Sequence, residues 1–310
     1  MARAAESGAL PPPIRSLLFV PGNREDQIRK ALASEADAVV LDLESATPVG
    51  ELDAARVICR RSILEHHEAR PGSPRPAILV RVAEARSPEQ FRDFAAVVQA
   101  GLTGILLPQV QDARDVIATD EALARQEALT GVPIGQTRIM PLVESASAVR
   151  LAFEIATASP RVAYMGGATG RGGDLARSLG FRFSAEGRET LFLRSKVLID
   201  VRAAGIPNPI SGIWGQVDDL EGLRAFALQS RELGYEGLMA IHPKQLEIVN
   251  AVFSPSDDEI GEWRRILELM AQAEGEGKGA IRMDGRLLDA AHVKTARQQL
   301  ERARRLLGLA

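Results

Sequence analysis

One cysteine, Cys59, in 310 residues leaves no partner for an internal disulfide. It falls in a helical stretch, AARVICRRSIL, where a small buried hydrophobe and a nucleophile are the two readings, the buried one favoured. No apolar run reaches the ~18 residues of a membrane span. The opening MARAAESGALPPP lacks a signal-type apolar core and reads as a loose lead. No block of lysine and arginine stands apart, and the net charge is −3, so nucleic acid is not an expected partner. No His/Cys cluster has zinc spacing: His66 and His67 sit near a helix end, and His242 and His292 are isolated. Together these absences predict a cytoplasmic, reducing location and neither membrane nor nucleic-acid binding.

What is present is strand–helix alternation. Apolar, β-branched runs occur near 16–20, 38–43, 77–82, 104–108, 138–143, 161–165, 209–214 and 237–241. Helical patterns separate them, with Ser87–Pro88 and Ser145 as starts and Gly101 and Gly234 as ends. Eight such units predict parallel strands closed into an α/β (β/α)8 TIM barrel. A doubly wound open sheet is the alternative. It needs a glycine-rich turn after the first strand, where this chain has VPGNRED. The expected organisation is a flexible lead over 1–13, the barrel over 14–254 and a helical extension over 255–310. GEGKG (275–279) reads as a flexible joint within the extension. Its helices either pack on a neighbouring subunit or lie exposed on their own barrel.

Barrel chemistry gathers at the C-terminal strand ends. Those ends carry Pro21–Arg24, Asp42 and Glu44, Arg81, Gln109, Glu144, Asp174, Ser211 with Gln216, and Ile241–His242. Along the second strand Ala38, Val40, Asp42 and Glu44 share one face. Two acids pointing inward are costly unless paired or coordinated, and Arg81 is the available counter-charge. An internal ion network without catalysis is the competing reading. Glu144 and Asp174 end successive strand units. Singly, Asp174 is equally a helix cap and Glu144 equally an ion-pair partner. Together they suit one hard cation completed by water and substrate oxygens. The loop GGATGRGGD (166–174) lacks the GK[ST] ending of a P-loop. Its glycines either permit close backbone approach to a ligand or are merely flexible.

Six ordered segments, from RSLLFVPG (15–22) through LDLE (41–44), VRV (80–82), PLVES (141–145) and GDLARSLG (173–180) to AIHPKQ (240–245), are similar to the citrate lyase β-subunit-like proteins. That group includes malyl-CoA and citramalyl-CoA lyases, within the HpcH/HpaI aldolase superfamily. The resemblance runs from about residue 14 to the C-terminus. It implies a TIM barrel, Mg²⁺, and making or breaking a C–C bond beside a CoA thioester, with an oxo acid as the other fragment. By matching motif, Glu144 and Asp174 are the implied metal ligands and Arg81 the carboxylate grip, with Asp42 and Glu44 beside it. Phe19, Arg24, Lys30, Gly173, Ile241 and His242 match CoA- or substrate-contacting positions. Asp289 matches an acid that reaches a neighbouring subunit's site, in enzymes that are usually trimers or hexamers. The chain departs from the family at Ser45 (usually an acid), Ala83 (usually asparagine) and Ser211 (often aspartate), all expected near the mouth. Those changes suggest altered substrate preference or reduced activity. A pyruvate-type aldolase acting on free acids and a non-catalytic acyl-CoA-binding homologue are the alternatives. The first typically has a histidine after the second strand, where this chain has Ser45.

Overall fold

A computed structural model describes residues 11–69, 76–167, 170, 172–184 and 186–308. Residues 1–10 of the expected lead, and Ala168, Thr169 and Arg171 of the glycine-rich loop, lie outside the described residues.

Eight parallel strands close on themselves in chain order. They are β1 (Ser16–Pro21), β2 (Ala38–Asp42), β3 (Ala77–Arg81), β4 (Gly104–Leu107), β5 (Arg138–Val143), β6 (Tyr164–Gly167), β7 (Asn208–Ile213) and β8 (Gly237–Ala240). The helices around them are α1 (Glu25–Leu32), α2 (Leu52–Ala69), α3 (Pro88–Val97), α4 (Ala113–Thr130), α5 (Ala146–Arg150), α6 (Ala152–Thr157), α7 (Asp174–Leu179), α8 (Arg188–Ala203), α9 (Leu220–Leu233) and α10 (Leu246–Phe253). The TIM barrel read from the alternation is the observed fold.

Period-two geometry sorts the strand residues. Leu17, Val40, Leu79, Leu106, Met140, Tyr164, Ile210 and Met239 fill the barrel interior. Leu18, Val39, Val80 and Ile105 pack outward in a second cluster with the helices. The N-terminal end of the barrel is sealed by the incoming chain. Asn208 pinches Ile14, accepting from its N–H at 2.7 Å and donating to its carbonyl at 3.1 Å. The Tyr164 hydroxyl donates to the Pro12 carbonyl at 2.8 Å. Gly166 must be glycine for packing reasons, since a Cβ there would lie 1.6 Å from the Ile210 carbonyl oxygen of β7.

Boundaries differ from expectation in a few places. The sixth strand starts at Tyr164, not 161; Val162 makes only an isolated bridge to Ile139. The helix expected over 145–158 is two short ones meeting at Leu151. Ser87 and Ser145 do cap α3 and α5, accepting from Gln90 and Ala148 N–H.

The chain divides into compact units after Phe253. The second unit contains α11 (Asp257–Gly275), β9 (Ile281–Met283), β10 (Arg286–Leu288) and α12 (Ala290–Leu307). Its core joins Ile266, Met270, Met283, Leu288 and Ala296. A helical extension was expected; the structure adds a short antiparallel β9–β10 hairpin between its two helices. Its turn residues Asp284 and Gly285 both have positive φ (49° and 81°), as a two-residue primed turn requires.

Candidate active site

The strand ends build the site from a register match. Asp42 ends β2 directly opposite Arg81, which ends β3. The Arg81 guanidinium donates from Nε to Asp42 Oδ1 at 2.7 Å and from Nη2 to Oδ2 at 2.5 Å. Asp42 also accepts from the backbone N–H groups of Glu44 (3.0 Å, Oδ1) and Ala46 (2.8 Å, Oδ2), which folds the chain into a tight turn after β2. The Asp42 carbonyl takes the Gly22 N–H at 2.9 Å. A Cβ on Gly22 would sit 2.8 Å from that oxygen, so the close approach of the first two strand ends needs glycine.

Asp42 is therefore 0% exposed, with each oxygen accepting two hydrogen bonds. Its carboxylate is turned to Arg81 and to the turn after β2, so in this arrangement it orients Arg81. The Arg81 end edge, Nη1 with Nη2, faces Glu44, whose Oε2 lies 3.3 Å from Nη1. Ser45 Oγ donates to the same carboxylate. Phe19, from β1, presents its ring to the guanidinium, with 5.2 Å from Cζ to the centroid. Burial opposes the charge of Arg81, but the bonds to Asp42 and the fields of Asp42, Glu44 and Glu144 outweigh it and raise its pKa.

Glu144 follows β5 and accepts the Gln109 N–H at 2.9 Å through Oε2. Gln109, after β4, has a φ of 53°, in the left-handed region few side chains adopt. Its carbonyl is held by Gln111 Nε2 at 2.9 Å. Burial raises the Glu144 pKa; the Gln109 N–H and Arg81 oppose the rise, and the charges of Asp174 and Glu44 add to it. Asp174 is the first residue of α7. The cap position is Gly173, so the cap reading of Asp174 gives way to an N-terminal acid paired with Arg177 Nη2 at 2.7 Å.

Arg81, Glu44, Glu144 and Asp174 thus share one electrostatic neighbourhood. Among the described residues no set of three or more His, Cys, Asp or Glu gathers as a metal cage. Two carboxylate oxygens beside an accumulation of negative charge fit a hard divalent cation whose remaining ligands are water or substrate oxygens.

The other expected positions are dispersed. Arg24 precedes α1 and Lys30 lies in its last turn, both exposed. Ile241 and His242 follow β8; the Ile241 N–H donates to Gln245 Oε1 at 2.9 Å, and His242 Nδ1 accepts the Lys244 N–H at 3.1 Å. Among the described residues no hydrogen bond joins these four to the carboxylate cluster. Asp289 is in the second unit, exposed, capping α12 through Ala291 N–H at 3.0 Å and pairing with His292 Nδ1 at 2.8 Å. That imidazole bond, above all, lowers its pKa. Ser211 is a correction: it is fully buried against Ser230 of α9 at 3.0 Å and faces the helix layer, not the mouth. One participant was missed. Asp93 on α3, 0% exposed, accepts the Ala83 N–H at 2.8 Å and Arg56 Nε at 2.8 Å, fixing the chain just beyond β3. No local sequence signal marks it.

A closed parallel barrel with an anchored arginine and acids gathered beyond its strand ends has the architecture of the TIM-barrel enzymes. The chain is a member of the HpcH/HpaI aldolase/citrate lyase family, whose model matches residues 15–243. It is 32% identical over 290 residues to citrate lyase subunit beta of Haemophilus influenzae, covering 94% of this chain and 97% of that one. It is 33% identical over 294 residues to (3S)-malyl-CoA thioesterase of Cereibacter sphaeroides, covering 94% and 95%. Among solved structures it resembles CitE of Mycobacterium tuberculosis in complex with magnesium, acetoacetate and coenzyme A, with a TM-score of 0.70, 27% identity, and 94% and 98% coverage.

Proposed function

We propose that this protein is a Mg²⁺-dependent C–C lyase for a 3-hydroxy-3-carboxyacyl-CoA-type thioester, releasing an oxo acid and an acyl thioester. The supporting observation is the Arg81 end edge, held in place by Asp42 and Phe19 beside the acids Glu44, Glu144 and Asp174.

In this reading Glu144 and Asp174 hold the cation. Mg²⁺ supplies Lewis acidity and a template for the oxygens of the oxo-acid fragment. Arg81 Nη1 and Nη2 bind that fragment's carboxylate end-on. Asp42 sets the direction of that grip and does not touch the substrate. Phe19 limits the guanidinium's sweep. Cleavage takes the proton from the substrate hydroxyl, breaks the adjacent C–C bond and turns the carbinol into a carbonyl. The electron pair becomes the thioester enolate, which then takes up a proton at carbon. Preorganised positive charge favours such a step. Glu44, partly open to solvent, is placed to receive the hydroxyl proton. Asp289 of a neighbouring subunit in a trimer or hexamer is the proposed proton shuttle. Arg24 and Lys30 offer cations for CoA phosphates, and Gly173, Ile241 and His242 border the thioester.

The test is the full chain with Mg²⁺ and malyl-, citramalyl- and citryl-CoA, products resolved by chromatography. Equal yields of oxo acid and shorter acyl-CoA, lost with EDTA and in Glu144→Gln and Asp174→Asn, are expected, each variant falling by at least ~10³-fold. Full activity in both variants defeats the site. Free CoA with an intact hydroxy acid means thioester hydrolysis instead. Cleavage of free acids only means the aldolase alternative, and ligand binding without turnover the non-catalytic one.

A further inference from the structure

Arg194, on α8, has no part in the chemistry above. It is 0% exposed and among the largest fully buried side chains. Its donors are only partly used. Nη2 donates to the Gly187 carbonyl at 3.4 Å and to the Gln229 side-chain oxygen. Nε and Nη1 are buried and have no hydrogen-bond partner among the described residues. One face of the guanidinium lies against the Phe226 ring, 5.4 Å from its centroid. Among the described residues no carboxylate forms an ion pair with it. Glu189, whose charge acts on it, spends its oxygens on Ser184 N–H (2.9 Å) and Oγ (2.6 Å). Tyr235 is neutral and donates to the Arg194 carbonyl at 2.9 Å.

Every other strongly buried arginine described here meets acid. Arg56 has Asp93, Glu89 and Asp53, and Arg161 has Glu127 and Asp120. An arginine does not shed its proton, so burial cannot neutralise Arg194. A buried charge without a counter-charge, carrying unsatisfied N–H groups, is strongly disfavoured. Water satisfies the N–H groups but not the charge; an anion satisfies both. The two open nitrogens do not form one edge of the guanidinium fork, so a planar carboxylate cannot take both. A monatomic anion needs no paired donors and can sit on one of these nitrogens alone. Gly187, at φ 62°, leaves room for the bonded nitrogen only: a Cβ built there would lie 3.0 Å from Nη2 and 3.1 Å from the Gln229 side-chain oxygen, so Nη2 is closely held and Nε and Nη1 are the open donors.

We propose that Arg194 anchors a structural site for a small monovalent anion, chloride being the ligand, enclosed by α8, α9 and the connection through Gly187. The site is independent of the proposed reaction.

The probes are chloride for stability and bromide for location. At constant ionic strength, with gluconate as the replacement anion, raising chloride from about 10 to about 500 mM lifts the wild-type unfolding midpoint by roughly 2 °C or more, with saturation. Arg194→Met keeps length and apolar contact with Phe226 while removing the charge. It is expected to lose the chloride response and to equal or exceed wild type at low chloride. Crystals soaked in bromide should show an anomalous peak within about 3.5 Å of Nε or Nη1. Ordered water only at both nitrogens, a midpoint indifferent to chloride, or a response that persists in Arg194→Met overturns the proposal. Should the variant fail to fold, the wild-type titration and the bromide map decide.

Discussion

Asp42 and Arg81 stand opposite one another on neighbouring strands, joined by two hydrogen bonds of 2.7 and 2.5 Å. The pair fixes which edge of the guanidinium faces the mouth. A lysine at 81 keeps the charge but loses the fork. We therefore expect Arg81→Lys to fold with nearly unchanged stability and to lose ~10²-fold or more in kcat/KM. Asp42→Ala leaves the guanidinium half-buried without its partner and should cost about 3 kcal/mol, read in urea unfolding. An active Arg81→Lys would show that the fork is not used.

Gln109 holds its amide toward Glu144 from a left-handed conformation. Gln109→Gly keeps that N–H and removes the strain, so activity and Mg²⁺ affinity should be retained. Gln109→Val is barred from the same φ. It should lose about 1–2 kcal/mol and weaken Mg²⁺ binding, measured by calorimetry, by roughly 10-fold. Equal Mg²⁺ affinity in the two variants would remove Gln109 from the site.

Glu127 accepts from Arg161 Nη1 and Nη2 (2.9 and 2.7 Å) and from the Thr137 and Gly135 N–H groups (2.7 and 2.8 Å). Burial pushes its pKa up, but these four bonds prevail and the carboxyl ends below its ordinary 4.5. A depressed carboxyl contributes stability above pH 4.5 that disappears as pH falls through the folded value. Unfolding midpoints between pH 3 and 7 should therefore decline more steeply on the acid side in wild type than in Glu127→Gln. The variant should be less stable at pH 7 by about 3 kcal/mol.

Cys59 is fully buried beneath the Gly22 carbonyl, 3.7 Å from its sulfur, and burial pushes its thiol up to about 12. The folded protein should resist iodoacetamide at pH 8 and react promptly in urea. Fast labelling of native protein with retained activity would contradict this placement.

The barrel was legible because eight apolar runs alternate with helical patterns, and period two alone put Asp42 on the interior face. Motif order then pointed to Glu144, Asp174 and Arg81. Burial was harder to read. Nothing in a linear pattern tells that Asp42 is enclosed on all sides while Glu44, two residues on, is partly open. Ser211 was assigned to the mouth by motif, yet a register shift between Ser211 and Ile213 accompanies its turn toward α9. Asp93 meets Ala83 only through the fold. The Asp284-Gly285 hairpin was readable and passed over, because the flanking runs IRM and RLL are too short and too charged to register as strands.

The sealed base, where Asn208 pinches Ile14 and Tyr164 holds Pro12, has a practical corollary. Anything fused ahead of residue 11 departs from the end of the barrel opposite Arg81 and Glu144. A handle joined close to residue 11 would therefore start from the far end of the barrel, away from the strand ends that carry Arg81 and Glu144.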